Sequence, residues 1–248
     1  MARTPTTNVE FRGHKRAVHF RPKTSDEGII KDVFEGRAYD LGRLPRGREL
    51  SAYFERKSGE GKKALVVDAG ANIGAASLFF HLLLGKPRIV AVESSTENFR
   101  VMEENIAAFD VRCVNAAISA TKGLAQVVDP GTAGGFCAYQ ALPVGAGKAL
   151  PGRPLEIVPR VTVNDIYAEE SARAFPFIVK VDIEGGEADL FSANTEWVEQ
   201  TPLVIVELHD WLLPKQGTSG PFLRCIAGLD RDFFPLGENV YSIANHLP

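Results

Sequence analysis

From residue 64 onward the chain repeats one alternation: a short apolar run, a polar or glycine-rich turn, then a stretch with helical spacing. The first run, Ala64-Leu65-Val66-Val67-Asp68, has the unbroken apolar character of a parallel strand buried on both faces. Residues 73–84 read as a helix that is apolar nearly all round, stopped by Gly85 and Pro87. Residues 88–93 read as a second strand. Ser94 and Glu97 have the spacing of a capping box and open the next helix, where Phe99, Met102, Ile106 and Phe109 recur at helical spacing. Residues 111–118, 177–182 and 202–209 supply three more strands, with a short helix over 186–192. Residues 232–236 and 239–243 flank Gly237 as an antiparallel pair. This alternation predicts an α/β fold with a doubly wound sheet.

At 248 residues the chain is long enough to bury a sizeable core without disulfides or metals. Hydrophobic residues make up 45% and charged residues 24%, which excludes a disordered chain. The longest apolar run, 75–84, is interrupted by His81 and is half of the ~20 residues a membrane span needs. The N-terminus lacks the apolar core of a secretory signal. Cys113, Cys137 and Cys225 fit neither a zinc pattern nor a disulfide framework, so a cytoplasmic, thiol-reduced protein is expected.

Residues 1–60 read as an N-terminal extension, with a hairpin turning at Gly13-His14 and a helix running from Ser25-Asp26 through Phe34. Residues 61–248 form the main domain, with a Gly- and Pro-rich insertion at about 121–160 that reads as loops with short strands. The first 63 residues carry 15 basic and 9 acidic side chains, and the rest carry 13 and 22. The basic residues are scattered and lack interleaved aromatics, so no nucleic-acid partner is expected.

In a doubly wound sheet the ligand lies outside the carboxyl ends of the strands, where the strand order reverses. The loop after the first strand, Asp68-Ala69-Gly70-Ala71-Asn72-Ile73-Gly74, borders that crevice. Gly70 permits a positive-φ turn, and Gly74 lets the helix pack closely on the sheet. A dinucleotide fingerprint would need glycines at 72 and 75, where the chain has Asn72 and Ala75. It has instead an acid, Asp68, two residues before the first glycine, which would repel a pyrophosphate and suit an ammonium or sulfonium. The second strand ends in Glu93, whose carboxylate can accept two hydrogen bonds from a ribose diol. S-adenosylmethionine offers both features. Structural roles for the pair, a loop cap at Asp68 and an exposed Glu93, stand as the alternative.

Four blocks resemble the FkbM-type class I methyltransferases: residues 67–74, 92–99, 179–187 and 202–209. The chain departs from the family pattern at Ser94, where Pro is common, and in the paired Gly185-Gly186. The resemblance implies S-adenosylmethionine-dependent O-methylation of a hydroxyl on a sugar, glycan or secondary metabolite. It implies a seven-stranded Rossmann-like sheet in the order 3-2-1-4-5-7-6. It also implies cofactor contacts at Asp68, Gly70, Asn72, Ile73, Gly74, Glu93 and Ser94, and at Asn115 and Ala116 past the third strand.

Residues two apart on a strand point the same way, so Asp182 with Glu184, and Glu207 with His209, would share a corner of the crevice. A sugar hydroxyl is a poor nucleophile until its proton is drawn away, which a carboxylate or neutral imidazole can do. His209 is the better base on its ordinary pKa and Asp182 on position. Strand-end capping by His209, and helix-dipole roles for Glu184 and Glu187, are the competing structural roles. Lys180, in a buried strand, is expected to pair with a carboxylate. The same groups could take Mg²⁺, but without a dedicated aspartate cluster no metal is assigned. A nicotinamide-dependent oxidoreductase and a non-catalytic cofactor-binding protein are the rival readings.

Overall fold

The computed structural model describes residues 4–131, 135–145 and 152–247. The chain begins with an antiparallel hairpin, β1 (Thr6–Phe11) and β2 (His14–His19), followed by helices α1 (Asp26–Phe34) and α2 (Gly47–Ser58). The alternating region then runs β3 (Lys63–Ala69), α3 (Ala75–Leu84), β4 (Arg88–Glu93), α4 (Thr96–Ile106) and β5 (Val111–Asn115). Four short strands come next: β6 (Ala117–Ile118), β7 (Gly123–Asp129), β8 (Gln140–Pro143) and β9 (Arg153–Val161). The chain closes with α5 (Val163–Glu170), β10 (Ala174–Val181), α6 (Glu187–Leu190), α7 (Glu196–Gln200), β11 (Leu203–Glu207), α8 (Gly220–Ala227), β12 (Arg231–Leu236) and β13 (Asn239–Ala244).

Seven strands form the main sheet in the order β12-β13-β11-β10-β3-β4-β5. All neighbours from β11 to β5 are parallel, and β13 runs antiparallel to both β11 and β12. The chain winds outward from β3 through β4 to β5, then returns to lay β10 on the other side of β3. That reversal puts a crevice outside the carboxyl ends of β3 and β10.

The apolar strands are buried on both faces because helices cover both. In β3, Val66 packs into one core cluster with α3, while Leu65 and Val67 pack into the other with Ile166, Trp197 and Phe222. The N-terminal segment joins the first cluster. Phe79 of α3 is fully buried, with ring centroids 4.4 Å from Phe11, 5.8 Å from Phe34 and 6.5 Å from Tyr39. No helix among the described residues is long and apolar enough to cross a membrane.

Several local expectations change. Helix α3 starts at Ala75, not at residue 73, because Asn72 and Gly74 take positive φ (+49° and +80°) and no helix can run through them. The cap of α4 is Ser95, whose hydroxyl accepts from the Asn98 N–H; the expected Ser94 and Glu97 box does not form. The third strand breaks after Asn115, and residues 117–118 leave to pair with β9. The short strands expected within the insertion, β7, β8 and β9, join β6 in one four-stranded sheet in the order β6-β9-β7-β8 around Ala117, Ala125, Val127 and Val158. Helix α2 has no counterpart in the sequence reading. It buries Leu50 and Tyr53, and Tyr53 stacks on Phe177 of β10 at 6.1 Å.

Phe79→Ala would open a cavity between the N-terminal segment and the sheet. We expect a loss of about 3–5 kcal/mol, measured as a lower urea midpoint with an unchanged slope.

Candidate active site

The first-strand loop is shaped by contacts that only glycine allows. Gly70 has φ +77°, and a Cβ there would lie 1.7 Å from the Asp182 carbonyl oxygen. The N–H groups of Gly70 and Ala71 both donate to the Val92 carbonyl at 3.0 Å, fixing the loop against β4. A Cβ on Gly74 would crowd Met102 Cγ at 3.1 Å, so this glycine sets the approach of α3 to α4.

Glu93 ends β4 beside this loop. Its carboxylate accepts from the Asn72 N–H at 2.8 Å and from the Ser95 N–H at 2.8 Å. Burial raises its pKa, and those two N–H groups oppose the rise. The Asn98 side chain also lowers the Glu93 pKa, and the carboxylate has further lone pairs to offer.

Beneath the loop lies Lys180 of β10, 3% exposed. Its Nζ donates to the Gly70 carbonyl at 2.8 Å and stands 3.3 Å from Asp68 Oδ1 and 3.4 Å from Asp182 Oδ2. Burial works against its charge, but the two carboxylates hold the ammonium well above the ordinary lysine value. The expected pairing of Lys180 with a carboxylate is therefore present, twice over.

The second group of polar side chains converges on His209. Its Nδ1 lies 2.9 Å from Glu187 Oε1, and both side chains are almost wholly buried. Because a carboxylate accepts, Nδ1 carries the proton. Nε2 has no hydrogen-bond partner and faces Glu184 at 3.5 Å, Glu207 at 3.6 Å and Asp182 at 3.7 Å. Burial alone would lower the His209 pKa. The Glu187 hydrogen bond and the surrounding carboxylates raise it to about 9. Burial and the Asp182 charge push Glu184 up to about 8 and Glu207 up to about 7.

These positions revise the sequence reading. One cavity of about 360 Å³ is lined by Gly70, Asn72, Glu93, Ser94, Ala116, Asp182, Glu184 and Glu207. Asp68, expected to face a cationic ligand, lies below the cavity with its carboxylate taken by Ser77 Oγ (2.6 Å) and Lys180. Ile73 is a core residue, and Gly74 is a packing position; neither lines the cavity. Asn115 also stands back, its amide donating to the Glu93 and Ser94 carbonyls. His209 is 1% exposed and stands behind the lining, reaching the cavity only through the carboxylates that face its Nε2. Asp182 and Glu184 do meet at one point, but not by strand alternation: β10 ends at Val181, and Glu184 turns back at φ +54°.

Other lining residues come from outside the alternating region. Tyr39, Ser25, Ile29 and Asp32 come from the N-terminal extension, and Phe136 and Tyr139 from the segment before β8. Glu187 is the N-terminal helix acid the sequence suggested, in the first turn of α6, and it is also the partner of His209.

The cavity fits an adenosyl amino acid. Gly70 lets backbone approach closely, Glu93 offers paired acceptors, and the side-chain oxygens of Asn72 and Asn98, both on the lining, are buried without a partner. A doubly wound sheet with this loop, this acid and this cavity defines an S-adenosylmethionine-dependent methyltransferase. The model of the methyltransferase FkbM domain matches residues 68–233, more than half of the chain, and the protein belongs to that family. Methyltransferase sdnD of Sordaria araneosa is 28% identical over 228 residues, covering 88% of this chain and 74% of the relative. Among solved structures, the O-methyltransferase from Bacillus cereus in complex with SAH is 10% identical, with a TM-score of 0.40, covering 90% of this chain and 92% of that one. The kinase-inhibitor complex of WbdD is 13% identical, with a TM-score of 0.38 over 82% of this chain; the match spans 42% of WbdD.

His209, Glu184 and Glu207 all bind protons more tightly in the folded chain than in the unfolded one. Their stabilising contribution is complete below the unfolded values and is lost as pH rises through about 7 to 9. The isolated chain should therefore melt at a lower temperature at pH 9 than at pH 6, and Glu184→Gln should narrow that difference. A difference as large in the variant as in the parent would count against the assignment.

Proposed function

We propose that the protein moves a methyl group from S-adenosylmethionine to a hydroxyl of a sugar, glycan or secondary metabolite. One observation carries the reading: the same cavity is lined by a ribose-type acceptor, Glu93, and by three carboxylates able to hold and deprotonate a hydroxyl, Asp182, Glu184 and Glu207. The order of the main sheet, β5-β4-β3-β10-β11-β13-β12, supports it.

Glu93, held by the Asn72 and Ser95 N–H groups, anchors the ribose hydroxyls, and the 70–72 backbone receives the amino-acid end. When bound, the cofactor supplies an electrophilic methyl: a carbon–oxygen bond forms, the carbon–sulfur bond breaks, and one proton must go to the protein. Asp182, standing between Lys180 and the cavity, orients the acceptor hydroxyl, and the proton enters the group formed with Glu184 and Glu207. His209 is a positioning residue. Fixed by Glu187, it sets the spacing of these carboxylates from behind.

Release of S-adenosylhomocysteine with a panel of hydroxyl acceptors tests the reading directly. Glu93→Ala should weaken S-adenosylmethionine binding by about 1.5–3 kcal/mol, the scale of a charge-assisted hydrogen bond, and calorimetric titration will measure it. Asp182→Asn should lower turnover ~10²–10⁴-fold while cofactor affinity changes little. Full turnover in that variant would remove Asp182 from the chemistry.

A further inference from the structure

The carboxylates that face His209 have more order than proton transfer alone requires. Asp182, Glu207 and His209 each present one ligand atom, and the three atoms lie within 4.8 Å of one another. Two ligands that share one first-row divalent ion, each ~2.1 Å from it, stand roughly 3–4.2 Å apart. The separations of 3.6 Å and 3.7 Å from His209 Nε2 to Glu207 and Asp182 fall in that interval.

A cluster of acids is common without any ion. The imidazole separates this one from the rest. His209 is 1% exposed, and its Nε2 is buried, has no hydrogen-bond partner and points at the carboxylates. Its other nitrogen bonds the fully buried Glu187 at 2.9 Å. A ring held on one side by a buried carboxylate, with the opposite nitrogen open, is the arrangement that outer carboxylates impose on metal-binding histidines. Charge points the same way. Four carboxylates, Asp182, Glu184, Glu187 and Glu207, surround one imidazole, and the nearest ammonium, Lys180, is shared with Asp68.

We propose that Asp182, Glu207 and His209 bind one divalent cation at the floor of the cavity, and that Glu187 is the positioning residue that aims His209 at it. The donor set of one nitrogen and two carboxylate oxygens selects Mn²⁺ or a similar ion over Ca²⁺, which takes oxygen alone. This rests on the methyltransferase reading and deepens it. The cation draws in the acceptor hydroxyl and weakens its O–H bond, and Glu184, which also faces Nε2 but is not among the three ligands, takes the proton. An acceptor with two neighbouring hydroxyls, able to reach the cation with both, is the substrate class this favours.

The test uses the full chain, stripped with EDTA and freed of chelator by gel filtration. Titration with MnCl₂, followed by the electron paramagnetic resonance signal of free Mn²⁺, should show one ion bound per chain. Bound Mn²⁺ should show nitrogen coupling in spin-echo envelope modulation, because one ligand is an imidazole. His209→Ala and Glu207→Gln should weaken binding at least tenfold, and Glu187→Gln 10–100-fold. S-adenosylhomocysteine binding, measured on every sample, reports both folding and the cofactor site. Parent chain that binds S-adenosylhomocysteine but takes up no Mn²⁺ at millimolar concentration, or binds it without nitrogen coupling, overturns the cation site and leaves the methyltransferase reading intact. Parent chain that fails to bind S-adenosylhomocysteine overturns that reading instead.

Discussion

A single buried ammonium ties the site together. Lys180 projects from the central strand β10 and meets the Gly70 carbonyl, Asp68 and Asp182 within 3.4 Å. Those three groups belong to the loop after β3, to β3 itself and to the residue after β10. Taking one partner from a buried charge pair costs about 3–5 kcal/mol, because the other charge is left unanswered. The strand ends, the glycine turn and the Asp182 carboxylate are therefore held in one geometry by one side chain. Asp68 belongs to this foundation and not to the cavity surface, with Ser77 Oγ bonded to its second oxygen at 2.6 Å.

Three acids on one cavity differ in what surrounds them. Glu93 is buried too, but two backbone N–H groups donate to its carboxylate and oppose the rise in its pKa. Glu184 and Glu207 are met by other carboxylates and by burial, so their protons are held more tightly. The first environment suits binding of hydroxyls that keep their protons, and the second suits proton movement. Their separation along one cavity is the geometric basis for reading a cofactor end and an acceptor end.

The walls of that cavity come from parts of the chain outside the alternating region. Helix α1 brings Ser25, Ile29 and Asp32, and the segment before β8 brings Phe136 and Tyr139. These two parts are joined: the Arg21 guanidinium lies 4.0 Å from the centre of the Phe136 ring while bonding Asp26 of α1 through two nitrogens. The Asn98 amide holds the Phe136 carbonyl at 2.9 Å. The N-terminal segment is thus part of the site and not only a covering of the sheet.

The sequence by itself determined the α/β alternation, the hairpin at Gly13, the end of α3 at Gly85, the glycine loop and the acid at residue 93, because each is a local signal of periodicity, turn chemistry or spacing. The four blocks at 67–74, 92–99, 179–187 and 202–209 carried the family. Tertiary structure alone decided which acids face the cavity. Asp68 and Glu93 both stand at the carboxyl end of an apolar strand, yet one lies under Lys180 and the other opens to the cavity; the difference comes from a lysine more than 80 residues away. Short strands were legible near residues 121–160 but not their assembly into one sheet, because glycines and prolines obscure period-two alternation and the pairing of β7 with β9 bridges a long connection. His209 has the ordinary basicity of an imidazole in sequence. Only the fold surrounds it with Glu187, Asp182, Glu184 and Glu207, drawn from two strand ends and a short helix, and burial among those charges, not the chemistry of a free imidazole, sets its behaviour.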